Sequence, residues 1–192
     1  MLNDALSADN VGRTPRVPVG IDLALTCTGI AYRQPNGKVC TRSIKTKVDG
    51  KYNHRVQTER LVTITTMLCD ILNDLPWDLD VVIEAPAYGA RGRGAVDVAQ
   101  LHGAVRAGLV LNCRLFPLYA EALTVRRIVL GTGYKKKDAA EKVRKAFNLD
   151  FPTPDECDAY LIMRAAEIAH DPVGQWPQDV TYLVKQLHAR NG

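Results

Sequence analysis

The sequence predicts an α/β domain built on one mixed five-stranded sheet with helices packed against it. Three observations carry this expectation. Short β-rich runs fill residues 17–44, apolar residues recur at helical spacing through most of the remaining chain, and two further strand-like runs, at 79–84 and 114–118, interrupt the helices. The 192 residues, 46% hydrophobic and 24% charged, suit a globular chain that buries its core without disulfides or a structural metal.

Residues 1–16 mix Asp, Asn, Ser, Gly and Pro, lack the apolar stretch of a signal peptide, and read as a flexible tail before a domain over 17–170. Residues 17–22, 27–33 and 38–44 are β-rich and parted by turn signals, the second being Gln34-Pro35-Asn36-Gly37, so they predict an antiparallel meander. From 54 to 75, Val56, Leu61, Ile64, Leu68, Ile71 and Leu72 recur at helical spacing until Pro76 stops the pattern. Residues 79–84 are nearly all apolar and end in Glu84, which suits a strand buried on both faces. A Gly/Arg loop over 89–94 leads to a helix at 95–111, whose Gly103, Ala104, Ala107 and Gly108 permit close packing. A short strand is expected at 114–118, and helices at 119–127, 135–147 and Pro154–His170. Residues 171–192 read as a helical extension of the same domain through Tyr182, Leu183, Val184 and Leu187.

The net charge of +4 hides a partition. Residues 33–60 and 126–145 each hold eight Lys/Arg against two acids, so each window carries +6 and the remainder −8. Basic patches of this kind face a polyanion or, more simply, form solvated helix faces. The five cysteines, Cys27, Cys40, Cys69, Cys113 and Cys157, show no metal-binding spacing and read as reduced core residues. No apolar run approaches the roughly 20 residues of a membrane helix, and the expected location is the cytoplasm.

Four acids stand out. Thr153, Pro154 and Glu156 mark a helix start with a Thr-x-x-Glu capping box, which puts Asp155 and Asp158 on one face of its first turn, continued by apolar Ile162, Ala165 and Ala169. First-turn acids often do no more than favour the helix dipole. Asp22 and Glu84, however, each end an apolar strand, where acids rarely sit without a partner. Four carboxylates meeting there repel unless cations lie between them. Oxygen-only ligands select Mg²⁺, with Mn²⁺ as a substitute, and two such ions roughly 4 Å apart support phosphodiester hydrolysis.

An ordered set of motifs over about residues 17–170 resembles the RuvC family of Holliday-junction resolvases. They are Gly20-Ile21-Asp22-Leu23-Ala24-Leu25-Thr26-Cys27-Thr28-Gly29, Thr46-Lys47-Val48-Asp49, Ile83-Glu84, Val129-Leu130-Gly131-Thr132-Gly133 followed by Lys137, and Asp155-x-x-Asp158-Ala159. The resemblance implies a ribonuclease-H-like fold, catalytic metal-binding carboxylates at Asp22, Glu84, Asp155 and Asp158, Mg²⁺ dependence with two ions per site, and a homodimer cutting both strands of a four-way DNA junction. It also implies that Lys137 lies near the scissile phosphate, with Arg126 or Arg127 beside it, and that Tyr88 wedges into the junction centre, although its offset from Glu84 is one residue longer. The basic windows and loop add Lys45, Lys47, Arg91, Arg93, Lys135 and Lys136 as DNA contacts. The Ala85-Pro86 pair and the Gly/Arg loop depart from the family pattern and mark a specialised junction-facing loop.

Other readings are weaker. Residues 131–136 lack phosphate-loop spacing, and the turn from Asp22 to Thr26 looks like the first phosphate motif of actin-like kinases, which need a second lobe. A non-catalytic DNA-binding module would not require all four acids. A flap-cutting or debranching nuclease of the same fold is the main alternative. His54, His102, His170 and His188 read as structural or surface groups.

Overall fold

The computed structural model describes residues 16–47, 53–86, 91–131 and 136–170. Strands β1 (Val17–Asp22), β2 (Cys27–Arg33) and β3 (Val39–Lys45) form the expected antiparallel meander. The turn between β2 and β3 closes where Gly37, at φ 85°, donates its N–H to Gln34 O at 2.8 Å; glycine reaches this left-handed geometry without steric cost. Helix α1 (His54–Asn73) leads to β4 (Leu79–Glu84), which lies parallel to β1. Helix α2 (Arg93–Gly108) is followed by β5 (Leu118–Ala120), parallel to β4. The sheet order is β3-β2-β1-β4-β5, and α3 (Ala122–Leu130), α4 (Lys136–Phe147) and α5 (Pro154–His170) complete the described chain.

Strand alternation sorts the core into two layers. Val19, Ile21, Ile30, Tyr32, Ile44, Val81 and Ile83 face α1 and α2, where Ile64, Leu68, Leu72, Leu101 and Val105 are buried. Ala31, Val82 and Ala120 face the other way, against α3, α4 and α5. The apolar run of β4 is thereby explained, because each of its faces is covered.

Helix α5 approaches the sheet unusually closely. A Cβ on Gly20 would lie 2.1 Å from Ala159 O and 2.3 Å from Met163 N, and one on Gly29 would lie 2.1 Å from Asp155 O. The helix backbone thus rests on the backbones of β1 and β2.

The chain departs from expectation around residues 109–122. After α2 it forms a π-helical turn, Leu109–Cys113, and Arg114 then adopts left-handed geometry at φ 57°. That conformation cannot continue into a strand at 114–118, so β5 starts only at Leu118 and takes Tyr119 and Ala120 from the residues expected to open the next helix. Residues 1–15 and 171–192, expected as tail and helical extension, lie outside the described residues. All five cysteines are free thiols. Among the described residues no helix is long and apolar enough to cross a membrane.

His102 is 8% exposed, its ring centroid 6.0 Å from that of Tyr119, and burial lowers its pKa below the ordinary histidine value. The unfolded chain therefore binds this proton more readily, so the His102 contribution to stability is present above about pH 6.5 and is lost as pH falls through that range. Urea titrations from pH 7.5 to 5 should show a decline that His102→Gln reduces. Gly20→Ala and Gly29→Ala should each cost about 3 kcal/mol, the upper end of ordinary overpacking. Gly103→Ala, where a Cβ meets nothing within 4 Å, should instead stabilise α2 by about 0.5–1 kcal/mol in the same denaturation assay.

Candidate active site

Register brings the four acids to one end of the sheet. Asp22 pairs with Gly29 across β1 and β2, and Gly29 is the residue on which Asp155 rests. Asp22 lies two residues beyond Gly20 and so projects toward α5 as well. On the other side, Ile21 is in register with Ile83, and the next step sets Asp22 beside Glu84. Glu84 itself pairs with Ala120, which faces the α5 layer. Two carboxylates therefore end adjacent parallel strands beneath the first turn of α5, which carries two more. Asp22 is 5% exposed and Asp158 4%, whereas Glu84 and Asp155 are half-buried.

The start of α5 is fixed by polar contacts. Thr153 Oγ1 accepts from Glu156 N at 3.1 Å, the expected half of the capping box. The carboxylate of Glu156, only 4% exposed, accepts from Thr153 Oγ1 at 3.4 Å through one oxygen and from Thr41 Oγ1 on β3 at 2.5 Å through the other. The fastening to β3 was not foreseen, since Glu156 read as a local cap.

Each acid of α5 has a close neighbour. Burial raises the Cys27 thiol above its ordinary value, and the hydrogen-bonded, charged Asp155 beside it adds to the rise, while Thr153 and Lys45 oppose it. Asp158 Oδ1 lies 3.7 Å from Arg126 Nη2. Among the described residues, no three His, Cys, Asp or Glu side chains converge closely enough to hold a metal ion. The backbone has assembled the four acids, while at least two side-chain heads are turned to Cys27 and Arg126.

The turn after Asp22 is braced from both sides. Thr28 Oγ1 donates to Ala24 O at 2.9 Å, Thr46 N donates to Thr26 O at 3.1 Å, and the Thr46 hydroxyl donates to Leu25 O. Arg60, from α1, donates to Leu25 O at 2.8 Å and to Thr46 Oγ1 at 3.2 Å. Arg60 was legible only as one charge in a basic window, because its partners are backbone and hydroxyl oxygens far away in sequence.

These contacts also place the beginning of α1 at the acid end of the sheet. Helix α2 runs alongside in the same direction, with Gly108 against Thr65 and Cys113 Sγ 3.9 Å from Cys69 O. Helix α3 begins two residues after β5. Four helices, α1, α2, α3 and α5, thus begin at the end of the sheet that carries the carboxylates, and each helix N-terminus carries about half a positive elementary charge.

The other expected site residues divide in three. Lys45, Lys47, Arg91, Arg93 and Arg127 are exposed, and Lys45 pairs with Cys27 across β2 and β3 at the edge of the acid cluster. Arg126, expected at the DNA surface, has a side chain only 13% exposed and faces Asp158. Lys136 and Lys137 open α4, while Tyr88 and Lys135 lie outside the described residues.

No protein-family model and no curated protein sequence matches this chain. Solved structures do. The RuvC structure of Thermus thermophilus is 21% identical, with a TM-score of 0.59 over 80% of this chain and 95% of its own. The T. thermophilus RuvC bound to a Holliday junction substrate is 20% identical, with a TM-score of 0.62 over 81% and 95%. The described chain therefore has the ribonuclease-H-like fold found in RuvC.

Proposed function

We propose that the chain is a divalent-metal-dependent endonuclease that resolves four-way DNA junctions. The observation that carries this reading is the placement of Asp22 and Glu84 at the ends of adjacent parallel strands, under the turn of α5 that bears Asp155 and Asp158. The likeness to a RuvC bound to a Holliday junction supports the choice of substrate.

The residues suit a hard cation. All four donors are carboxylates, two of them are buried, and such groups are costly to keep charged without a cation. Asp22, Glu84, Asp155 and Asp158 would hold Mg²⁺ or Mn²⁺, two ions per site. When bound, the ions supply activation of the attacking water and neutralisation of charge on the leaving oxygen.

The chain's own residues do the rest. Lys137 and Arg126 are the cations assigned to the scissile phosphate. Exposed Lys45 and Lys47 at the end of β3, Arg91 and Arg93 at the start of α2, and Arg127, Lys135 and Lys136 near α3 and α4 hold the DNA backbone by charge. The four helix N-termini add donors and positive potential at the same end, which favours an approaching phosphodiester. Tyr88 is assigned to the junction centre. A homodimer places two such sites on opposing strands.

With Mg²⁺, the protein should nick a synthetic four-way junction at paired positions and cut flap and linear duplex more slowly, with gel filtration giving the mass of a dimer. Asp22→Asn and Asp158→Asn should retain junction binding and cut on the order of 10³-fold more slowly, since several kcal/mol of charge stabilisation are removed. Cutting at the parent rate would remove the site assignment, and equal cutting of all three substrates would remove the junction selectivity. Junction affinity should fall about 10³-fold or more between 50 and 200 mM salt, as for six or more neutralised phosphates; a flat profile would sink the basic-surface assignment.

A further inference from the structure

We propose that Arg60 is a positioning residue for the reaction: it holds the turn that follows Asp22, and its loss shows in the rate of cutting rather than in the grip on DNA. The inference rests on the reading of Asp22 as an acid of the site and names a residue outside the carboxylates on which that acid depends. Three observations carry it. Leu23-Ala24-Leu25-Thr26, which joins β1 to β2, contains no Gly, Pro, Asn or Asp, the residues that close turns by themselves. Successive carbonyls of this turn are instead held from outside: Ala24 O by Thr28 Oγ1, Leu25 O by Arg60 Nη2 at 2.8 Å and by the Thr46 hydroxyl, and Thr26 O by Thr46 N. Arg60 also donates through Nε to Thr46 Oγ1 at 3.2 Å, so one guanidinium ties α1 to the turn and to the segment after β3.

The placement of Arg60 sets it apart from the other cations of its basic window. Lys45 and Lys47, on either side of Thr46, are exposed, as are Arg42 and Arg55, and Arg55 pairs with Glu59 one turn on. Arg60 is half-buried, and its N–H groups already serve Leu25 and Thr46. To take a phosphate it would have to release the turn. A guanidinium is a planar fork that keeps its charge and fixes two acceptors at once, whereas a lysine ammonium holds as a point charge. A charged donor also makes the stronger bond to a carbonyl. Thr46 lies between two lysines assigned to the DNA backbone, so the segment that grips the substrate and the turn that follows the acid form one hydrogen-bonded unit. Asp22 itself stays paired with Gly29 in the sheet, and loss of Arg60 loosens its surroundings without removing it. Misplacing a reacting group by about 1 Å costs on the order of 10²-fold in rate, so a partial loosening costs about tenfold.

The parent, Arg60→Gln, Arg60→Lys and Lys47→Gln are compared on a synthetic four-way junction. Affinity is measured in EDTA as a function of salt, and cutting in single turnover with Mg²⁺ at saturating protein. Arg60→Gln should cut about tenfold more slowly while keeping the parent's affinity and salt slope, and Arg60→Lys should recover part of that loss. Lys47→Gln should lower the salt slope by about one, as a phosphate contact does. An equal fall in slope for Arg60→Gln would make it a phosphate contact and overturn the positioning role. A cycle with Asp22→Asn locates the effect: the loss caused by Arg60→Gln should shrink to about twofold or less in that background, because the acid it positions is gone. If the loss keeps its full size there, or if Arg60→Gln cuts at the parent rate, the positioning role is wrong while the carboxylate reading stands. If Asp22→Asn cuts at the parent rate, the carboxylate reading fails and the positioning role fails with it. Should Arg60→Gln not fold, Arg60→Lys carries the comparison: slower cutting at unchanged affinity supports the proposal, and cutting at the parent rate overturns it.

Discussion

A helix can approach a sheet only as closely as the side chains between them allow, and at two points under α5 there are no side chains. Gly20 and Gly29 let the backbone of α5 settle on β1 and β2, with Ala159, Met163 and Asp155 directly above them. Much else depends on that approach. It sets the first turn of α5 over the ends of β1 and β4, it buries Asp158, and it makes Asp155 a neighbour of Asp22 through the shared Gly29. A pair of ordinary β-branched residues in those places would hold α5 farther off and dissolve the cluster without touching any acid.

Close packing alone would leave the helix free to slide, and polar contacts at both ends prevent that. Near its start, Glu156 accepts from Thr41 on β3. Near its end, Glu167 receives Arg33 of β2 at 2.6 Å and Arg164 of its own helix at 2.8 Å. The opposite layer contributes Arg60, which ties α1 to the turn after Asp22. Both layers are thus registered on the same end of the sheet, where four helix N-termini offset four carboxylates. The electrostatic design is polar along the strands, with positive potential and acids together at one end.

Much of this was legible in the sequence, and the reasons for the remainder are physical. Periodicity revealed the meander, α1, β4, α4 and α5, because burial on one face imposes a period that survives in composition. Asp22 and Glu84 stood out because an acid that ends an apolar run is visible without a structure, and Asp155 and Asp158 because the capping pattern marks the helix turn that carries them. Periodicity failed at β5, where three residues pair with β4 and the break depends on the left-handed geometry of Arg114, a conformation that arginine does not advertise. Arg126 and Arg60 were seen as charges but not for what they touch. Their partners, Asp158, Leu25 O and Thr46, are brought close by folding, and no spacing rule anticipates a contact to a backbone carbonyl. Glu156 was assigned to its own helix because the local capping pattern is complete in sequence, whereas the structure turns half of it to another strand.

That last contact has a consequence for how the chain can change. Thr41 and Glu156 are 115 residues apart, yet a hydroxyl lost at one leaves the sequestered carboxylate at the other with one oxygen facing Thr153 Oγ1 and the other short of its strand partner. The two positions behave as a single letter of the fold, free to drift only together. Substitutions on an edge strand, far from any acid of the cluster, are in this way inherited by the turn that carries Asp155 and Asp158.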